Sequence, residues 1–365
     1  ELGVADVLWA THSPHASASD GLGRLLAREL RCVGLSASLR EGTIADLLVR
    51  RGLTSESRAV TLAAELARWV DPRRQELVDR GVQLGDEEDR PRFRSLYTLI
   101  RRMARRRPVL VWLDDAQWGA EALAFAEYVL RAQDQAPSPV LLVLSRRSDA
   151  TDPDSRAADL LRLLLAHPRA RSLLVGPLPP ASQYALVRDV LGLGATLAAR
   201  VAEASDGNPL FAIELVGEWV RRGVLEPGPW GWRLRPDQEV AVPADLPALW
   251  DARVETALQT LPEGAEASLH LAAAFGGRVQ RREYSRACRE LGLTPPIGLL
   301  ERLFATHLAV PSKGGWSFVH DALRVALERR AGPEFARLRA VAREVSKTAS
   351  GPMATTTPRA VAPQR

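Results

Sequence analysis

Three short apolar runs alternate with stretches of helical periodicity in the first part of the chain. The runs are VADVLWA at 4–10, VLVWL at 109–113 and VLLVLS at 140–145. Between them, apolar residues recur at helical spacing in LGRLLARELRCVGL, FRSLYTLIRRMARRR and AEALAFAEYVLRAQ. Strands that alternate with helices favour an α/β fold with a parallel sheet and crossover helices. We expect this α/β domain to extend over 1–172.

The pattern changes after Ser172. Three helical segments joined at Pro and Gly residues predict a small helical bundle over 173–225, and PGPWGWRLRPDQ predicts an aromatic hairpin or linker over 226–244. Further helical segments, followed by two short strands around a Gly-Gly turn and a final helix, predict a winged-helix domain over 245–330. The polar, Pro-rich end is predicted to be disordered over 331–365.

The composition argues against a membrane protein and against a disulfide framework. Of 365 residues, 46% are hydrophobic and 25% charged, which is typical of globular proteins. No stretch approaches the ~20 consecutive apolar residues of a membrane span, so we expect a cytoplasmic protein without membrane contact. Cys32 and Cys288 lie far apart without a CxxC spacing, which fits a reducing compartment and not a zinc site.

The chain is basic, with a formal net charge of +5. Only Lys313 and Lys347 are lysines among its 49 basic residues, and this skew indicates a GC-rich coding bias more than a phosphate-binding surface. RRMARRR at 101–107 could contact nucleic acid. Its arginines also complement the dipole at a helix C-terminus, and we favour this solvated interpretation.

Two adjacent carboxylates, Asp114 and Asp115, follow the second apolar run. Ligands of an open parallel sheet bind beyond the carboxyl ends of its strands. Adjacent carboxylates there suit a magnesium nucleotide, since one can hold the metal and the other can orient an attacking water. Alternatively, the pair caps the next helix, because Asp is a good N-cap residue. This stretch alone favours neither interpretation.

Three further residues also have a functional and a structural interpretation. Arg147 follows the third run, where a guanidinium could reach a γ-phosphate, but it could equally be an ordinary surface arginine. Pro209 lies in DGNPL at 206–210, which also fits a helix C-cap followed by a Pro-started helix. His320 lies where a strand gives way to a helix N-terminus, a position that suits a phosphate or a purely structural histidine.

Taken in order along the chain, five segments resemble the STAND class of AAA-related P-loop ATPases, the bacterial modules of MalT-like and LuxR-type regulators that also occur beside kinase or cyclase domains. The segments are VLVWLDDAQW, LVLSRRSD, ASDGNPLFAIEL, RRGVLEPGPWGWRL and WSFVHDALRVAL. The resemblance covers residues 1–330. It implies a parallel P-loop NTPase-type sheet, incomplete at the N-terminus, followed by a helical lid and a winged-helix domain.

The resemblance also implies Mg²⁺ and ATP or ADP as cofactors, with roles for the residues already named. Asp114 looks like the magnesium carboxylate of a Walker B strand, and Asp115 looks like the catalytic carboxylate. Arg147 falls where the family has its sensor arginine. Pro209 matches the proline of the lid element that packs near adenine. His320 looks like the winged-helix histidine that touches the ADP β-phosphate in the closed form.

The chain departs from the family pattern at the phosphate loop. The sequence contains no G-x-x-x-x-G-K-[ST], and DGLGRLLARE at 20–29 has neither the lysine nor the hydroxyl residue. We expect the loop to lie upstream of Glu1 in a longer polypeptide. Without the backbone N–H cradle and its lysine, little offsets the charge of Asp114, so this chain is expected to bind ATP weakly or not at all.

These patterns lead to a hypothesis of a signal-transduction ATPase module in a bacterial multidomain regulator. Its nucleotide state would set whether the lid and winged helix fold back on the sheet. Its partners would be the nucleotide, neighbouring domains of the same polypeptide and further copies on activation. One alternative is a DNA-binding regulator acting through the winged helix, but PPIGLLERLFATHL at 295–308 has few polar residues for reading bases, so we expect no DNA contact. Another is a scaffold whose nucleotide site has decayed.

Overall fold

The computed structural model describes residues 4–12, 21–33, 35–70, 86–147, 155–236, 238, 240, 242–312 and 314–349, without the side chains of 37, 86–89 and 347–349. The chain divides into two compact units, Glu1–Leu173 and Leu174–Arg365. Each unit has its own hydrophobic core.

The first unit is built on a three-stranded parallel sheet. Its strands are β1 (Asp6–Thr11), β2 (Val109–Asp114) and β3 (Val140–Leu144), in the order β1-β2-β3. Thr11 pairs with Asp114, and Leu113 pairs with Leu144, so all three strands end at one edge. The parallel α/β arrangement predicted from the alternating pattern is therefore confirmed.

Helices occupy both connections of this sheet, because the intervening segments have one apolar stripe each. In the described residues they are α1 (Gly21–Glu29), α2 (Ala37–Arg50), α3 (Glu56–Ala67), α4 (Asp86–Ala104), α5 (Ala120–Gln135) and, after β3, α6 (Arg156–Ala166). Their buried side chains pack against one face of the sheet, where Leu8, Val111 and Leu113 are no more than 3% exposed. This core holds the carboxyl ends of the strands in register.

The opposite face of the sheet is apolar but exposed. Val7 and Leu141 are more than half exposed, and Trp9 and Trp112 are 41% and 40% exposed. The strands therefore do not show the polar alternation of a half-buried sheet. Parallel sheets usually bury both faces, and near-continuous apolar strands are their signature.

The second unit begins with a helical bundle and a hairpin. The bundle contains α7 (Pro180–Ala185), which continues into a π-helical turn at Leu186–Val190, then α8 (Ala195–Ser205) and α9 (Pro209–Arg221). The hairpin pairs β4 (Leu225–Gly228) with β5 (Gly231–Leu234). Val201, Phe211 and Trp219 are buried together in the bundle.

The rest of the second unit combines helices with a small antiparallel sheet. The helices are α10 (Leu246–Leu258), α11 (Ala265–Ala274), α12 (Arg281–Glu290), α13 (Leu299–Ala305), α14 (Asp321–Ala331) and α15 (Glu334–Ala349). The strands β6 (Arg278–Gln280), β7 (Ala309–Ser312) and β8 (Gly315–Phe318) are ordered β6-β8-β7. The assignment of these elements to a winged-helix domain remains a prediction.

Helix α15 corrects the expectation of a disordered tail over 331–365. Phe335, Leu338, Ala342 and Val345 are at most 3% exposed and belong to the core of this unit. They are spaced three or four residues apart and so lie on one face of the helix. The arginines between them make this apolar pattern hard to recognise in the sequence. The prediction was wrong over 334–349, and its remainder from 350 lies outside the described residues.

Candidate functional site

Asp114 ends the central strand β2 and is held by a serine from the neighbouring strand end. Ser145, directly after β3, donates its hydroxyl proton to Asp114 Oδ1. The same Ser145 Oγ accepts a hydrogen bond from the backbone N–H of Asp115 at 3.2 Å. Among the described residues, none donates to Asp114 Oδ2. One carboxylate oxygen is therefore fixed, and the other is available to a ligand.

Asp115 has an unusual backbone conformation at the start of the loop after β2. Its φ of 52° and ψ of 42° lie in the left-handed region, which is uncommon for residues other than glycine but tolerated by Asp. Asp115 makes no side-chain cap to the short helical turn that follows. Simple N-capping, the alternative interpretation of this pair, is therefore not what Asp115 does here.

Gln117 connects Asp115 to the end of the next strand. Its Nε2 donates to Asp115 Oδ1 at 3.0 Å, and its Oε1 accepts from the backbone N–H of Arg147 at 3.2 Å. Gln117 is buried, whereas Arg147 is exposed. The structure thus brings Asp114, Asp115 and the backbone of Arg147 together at the carboxyl edge of the sheet.

His12 joins this edge from the end of β1. Its backbone N–H and its Nδ1 lie 3.0 and 2.8 Å from the carbonyl oxygen of Asp114. Because a carbonyl only accepts, Nδ1 carries the proton, and Nε2 of the neutral ring is an acceptor. Nε2 is buried without a hydrogen-bond partner in the part of the chain that the structure describes. The ring packs against Gly119, so His12 fixes the loop that carries both carboxylates.

The sequence pattern does not identify Ser145, Gln117 or His12 as site residues. The available signal was weak, because each is a polar residue within three positions of a strand end at one sheet edge. In the sequence, His12 and His15 lie close together in THSPHAS, but no second cluster supplies further metal ligands. His15 lies outside the described residues, and no group of three His, Cys, Asp or Glu side chains within them could hold a metal ion.

Ser145→Ala is expected to lower the free energy of unfolding of the first unit by about 1 to 3 kcal/mol, because a part-buried carboxylate and a backbone N–H each lose a partner. Urea denaturation followed by circular dichroism measures the loss. Ser57→Ala, which removes an exposed hydroxyl on α3, is the control and should cost less than about 0.5 kcal/mol. Equal effects of the two substitutions would contradict the role given to Ser145.

Pro209 lies in the second unit, where it opens helix α9. Asp206 and Gly207 before it both have positive φ, 43° and 74°. Asn208 caps the helix, accepting from the backbone N–H groups of Leu210 and Phe211 at 3.0 and 3.2 Å. A Cβ on Gly207 would lie 2.5 Å from Pro177 and 2.8 Å from a backbone oxygen, so only glycine fits. The helix-stop and Pro-start interpretation of DGNPL is therefore satisfied.

His320 is the N-cap of helix α14 in the same unit. Its Nδ1 accepts from the backbone N–H of Ala322 at 3.2 Å, and its ring stacks on Trp250 with centroids 6.3 Å apart. An accepting Nδ1 places the proton of the neutral ring on Nε2. The capping arrangement therefore leaves His320 an N–H donor near the amino end of a helix, a combination that suits an anion.

A buried arginine links helix α9 to helix α10, close to His320. Arg253 Nη1 donates to Glu214 Oε2 at 2.7 Å, and its Nε donates to Glu218 Oε2 at 2.8 Å. Burial raises the pKa of Glu214, and the positive charge of Arg221 opposes that shift. This network fastens the helix that Pro209 opens to the helix that carries Trp250.

The predicted site residues fall into two groups. Asp114, Asp115 and Arg147 belong to the first unit, whereas Pro209 and His320 belong to the second. The convergence of all five around one nucleotide stays a prediction.

Among the described helices, none has both the length and the apolar composition needed to cross a membrane.

The known structures that match this chain are similar to it only at low sequence identity and low TM-score. No family model and no curated protein matches it. Among solved structures, it is similar to a Walker-type ATPase of Pyrococcus abyssi at 15% identity, covering 88% of this chain and 84% of that one with a TM-score of 0.29. It is also similar to the Aeropyrum pernix ORC2 protein in its ADPNP and ADP complexes, at 13% identity over 95% and 90% of the two chains, with a TM-score of 0.28. At such TM-scores, neither likeness assigns an activity or a family.

Proposed function

We propose that this chain is part of an ATP-dependent switch that transmits a signal within a larger regulator. The observation that carries the proposal is the pair Asp114 and Asp115 at the carboxyl end of the central parallel strand. Asp114 is fixed by Ser145, and Asp115 is fixed by Gln117. The carboxyl edge is where open parallel sheets bind ligands, and a fixed carboxylate pair with a free oxygen is suited to a magnesium nucleotide.

The side chains present fit Mg²⁺ that arrives with a nucleotide and not a metal held by protein alone. Mg²⁺ in nucleotide sites is bound by one or two carboxylates, with phosphate oxygens and waters completing the shell. The free oxygen of Asp114 would hold the ion, which would neutralise charge on the phosphates. Asp115 would orient the attacking water, and the Arg147 guanidinium would contact a γ-phosphate oxygen.

The second unit would sense which nucleotide is bound. The Nε2–H of His320 would donate to a phosphate oxygen, and the turn before Pro209 would pack near the base. A switch requires that these contacts differ between ADP and ATP, since a ligand shifts an equilibrium only through its differential affinity. Arg253 ties the Pro209 helix to the Trp250 helix, so both contacts would be gained or lost together.

Nucleotide affinity of this chain is expected to be low. Its 365 residues contain no G-x-x-x-x-G-K-[ST] sequence. The backbone N–H groups and lysine of such a loop supply most of the charge compensation for a triphosphate. The carboxylates would then bind the nucleotide through the metal alone, so its affinity would be low.

Thermal unfolding with nucleotide tests the proposal on the chain itself. With a dissociation constant of 1 mM, 10 mM Mg-ADP stabilises the folded state by about 1.4 kcal/mol, since the gain is RT ln(1 + [L]/Kd). This corresponds to a rise in Tm of about 3 °C for a domain of this size. Asp114→Asn should abolish the rise, because it removes the charge that holds the metal.

Two controls separate binding from nonspecific effects. Mg²⁺ alone and ADP with excess chelator should each leave Tm unchanged. Asp134→Asn, on an exposed carboxylate that contacts His167 away from the sheet edge, should keep the full rise. The proposal fails if Tm does not respond to Mg-ADP, or if Asp114→Asn and Asp134→Asn respond alike.

A further inference from the structure

Six arginines from two helices form a positively charged surface at the amino end of strand β2. We call them the arginine patch: Arg58 on α3, and Arg101, Arg102, Arg105, Arg106 and Arg107 at and after the end of α4. All are exposed except Arg102, which is partly buried. Helix α3 packs against α4, so Arg58 adds a charge that the sequence run 101–107 does not reveal.

The arginine patch has no acidic partners among the described residues. None of its six side chains lies within 4.0 Å of a carboxylate oxygen there. Some other arginines of the same unit do have acidic partners, as in Arg51 with Glu29 and Arg92 with Glu121 at 2.8 Å. A coding bias explains why these residues are arginines and not lysines, but it does not explain why six of them share one surface without a carboxylate partner in the described structure.

Like charges converge within the patch. Burial lowers the pKa of the Arg102 guanidinium, and the charges of Arg58 and Arg105 lower it further. Nη1 of Arg102 is buried and has no hydrogen-bond partner in the described structure. A buried cationic N–H without an acceptor, beside two other cations, destabilises the folded chain. An anion bound to the exposed arginines of the patch would offset this clustered positive charge.

The dipole of helix α4 does not account for the whole patch. A helix C-terminus carries roughly half a negative charge, which one or two arginines would satisfy. Within the patch, Arg106 donates to the carbonyl of Gly52 at 3.3 Å, and Arg101 lies 5.9 Å from the Tyr97 ring. These contacts position two side chains but neutralise neither charge.

The arginine patch is separate from the candidate nucleotide site. Helix α4 leads through Pro108 into the amino end of β2, whereas Asp114 lies at the carboxyl end of the same strand. A six-residue strand spans roughly 17 to 20 Å. A nucleotide bound by Asp114 therefore does not supply phosphates to the patch.

We propose that the arginine patch binds the phosphodiester backbone of duplex nucleic acid without selecting bases. The last two turns of α4 and the following residues spread five arginines over roughly 9 to 10 Å. A duplex offers about six phosphate charges over that length, since one charge occurs per ~1.7 Å of axis. An extended acidic peptide offers at most about three carboxylates over the same length, at ~3.3 Å per residue.

The patch lacks the other side chains that commonly read or stack on bases, which favours contact with phosphates. It contains no Asn, Gln or exposed aromatic side chain that could contact base edges or stack on unpaired bases. The expectation that this chain makes no DNA contact was based on the winged-helix segment and on a solvated end of α4. The addition of Arg58, the missing carboxylates and the unpartnered Arg102 change that expectation for α4.

Fluorescence anisotropy with a labelled 20-base-pair duplex of arbitrary sequence tests the proposal on the full chain. Binding should weaken linearly on a log–log plot against salt between 50 and 200 mM, with a slope of about −4 to −5 if five phosphates are contacted. The triple variant Arg58→Gln, Arg102→Gln, Arg105→Gln should lose about tenfold or more in affinity and about 2 to 3 units of slope. A second, unrelated duplex should bind equally well.

A matched control removes the same net charge elsewhere. Arg200, Arg281 and Arg282 are exposed and have no carboxylate partners among the described residues, and their triple change to Gln should alter affinity less than about twofold. The patch variant should keep or raise Tm, because it relieves repulsion. Equal losses in both triples would overturn the proposal, since binding would then follow net charge alone. Tighter binding to poly-glutamate or anionic vesicles than to the duplex would also overturn it.

Discussion

Arg253→Met is expected to lower the free energy of unfolding of the second unit by about 3 to 5 kcal/mol, the usual result of removing one partner of a buried ion pair. Arg253 is 5% exposed and fills three donor roles, two to the carboxylates of Glu214 and Glu218 and one to the backbone oxygen of Glu214 at 2.7 Å. Its guanidinium also lies 4.6 Å from the Trp250 ring centroid. Methionine keeps most of the volume but leaves both carboxylates uncompensated.

The loss should depend on pH in a direction set by Glu214. Burial raises the pKa of this carboxyl above its usual range, so the folded state binds the proton more tightly than the unfolded state does. Its contribution to stability is therefore largest at acid pH and falls as pH rises through the folded pKa. Without Arg253 this effect grows, so the variant should lose most at pH 7 to 8 and least near pH 5. Urea denaturation across this range measures the difference.

Arg329→Met is the comparison for Arg253→Met. Arg329 pairs with Asp251 in the same unit, but its side chain is 54% exposed, so its removal should cost less than about 1 kcal/mol. Equal losses for the two substitutions, or a loss for Arg253→Met that does not vary with pH, would contradict the buried network.

Gly119→Ala is expected to destabilise the first unit by about 1 to 3 kcal/mol through overpacking. A Cβ at this position would lie 2.3 Å from Cδ2 and 2.8 Å from Nε2 of His12. The backbone itself permits alanine, because φ of Gly119 is −112°. The clash is with a buried ring that donates to the carbonyl of Asp114, so relief requires moving the end of strand β1 or the carboxylate loop.

A double-mutant cycle identifies the clash as the cause. His12→Ala removes the ring, so Gly119→Ala should be nearly free of cost in that background, and the two effects should be strongly non-additive. Guanidinium denaturation of the four proteins gives the coupling. Additive effects would mean that Gly119 is required for a reason other than His12. The Mg-ADP response of Gly119→Ala should also fall if the loop shifts.

The sequence predicts that Asp114, Asp115 and Arg147 lie at the carboxyl ends of strands because the end of a strand is a local property of the pattern. Three apolar runs separated by helices leave few choices for a parallel sheet, and residues after such strands must share an edge. The partners that hold the carboxylates were not predictable in the same way. Ser145, Gln117 and His12 act through contacts between strand ends, and nothing in their own neighbourhoods distinguishes them.

Composition misled the prediction at the C-terminal end. The residues from 350 are rich in Pro, Thr and Ala, a composition typical of disorder, but this composition does not extend back to 331. Helix α15 contains four core residues and eight charged or polar residues. Its average composition is therefore polar, but a helix is buried through one face only, and the four core residues form that face. The arginine patch shows the opposite case, since Arg58 joins residues 101–107 only through the packing of α3 on α4.

The exposed face of the parallel sheet has an optical consequence. Trp9 and Trp112 lie side by side there with ring centroids 6.2 Å apart, and each is about two-fifths exposed. Indole emission shifts to shorter wavelength when water is removed from around the ring, and a collisional quencher reaches the ring less often. Any protein segment that covers these strands would therefore alter the intrinsic tryptophan fluorescence of the chain. Binding to this face of the sheet can thus be followed by fluorescence without an added label.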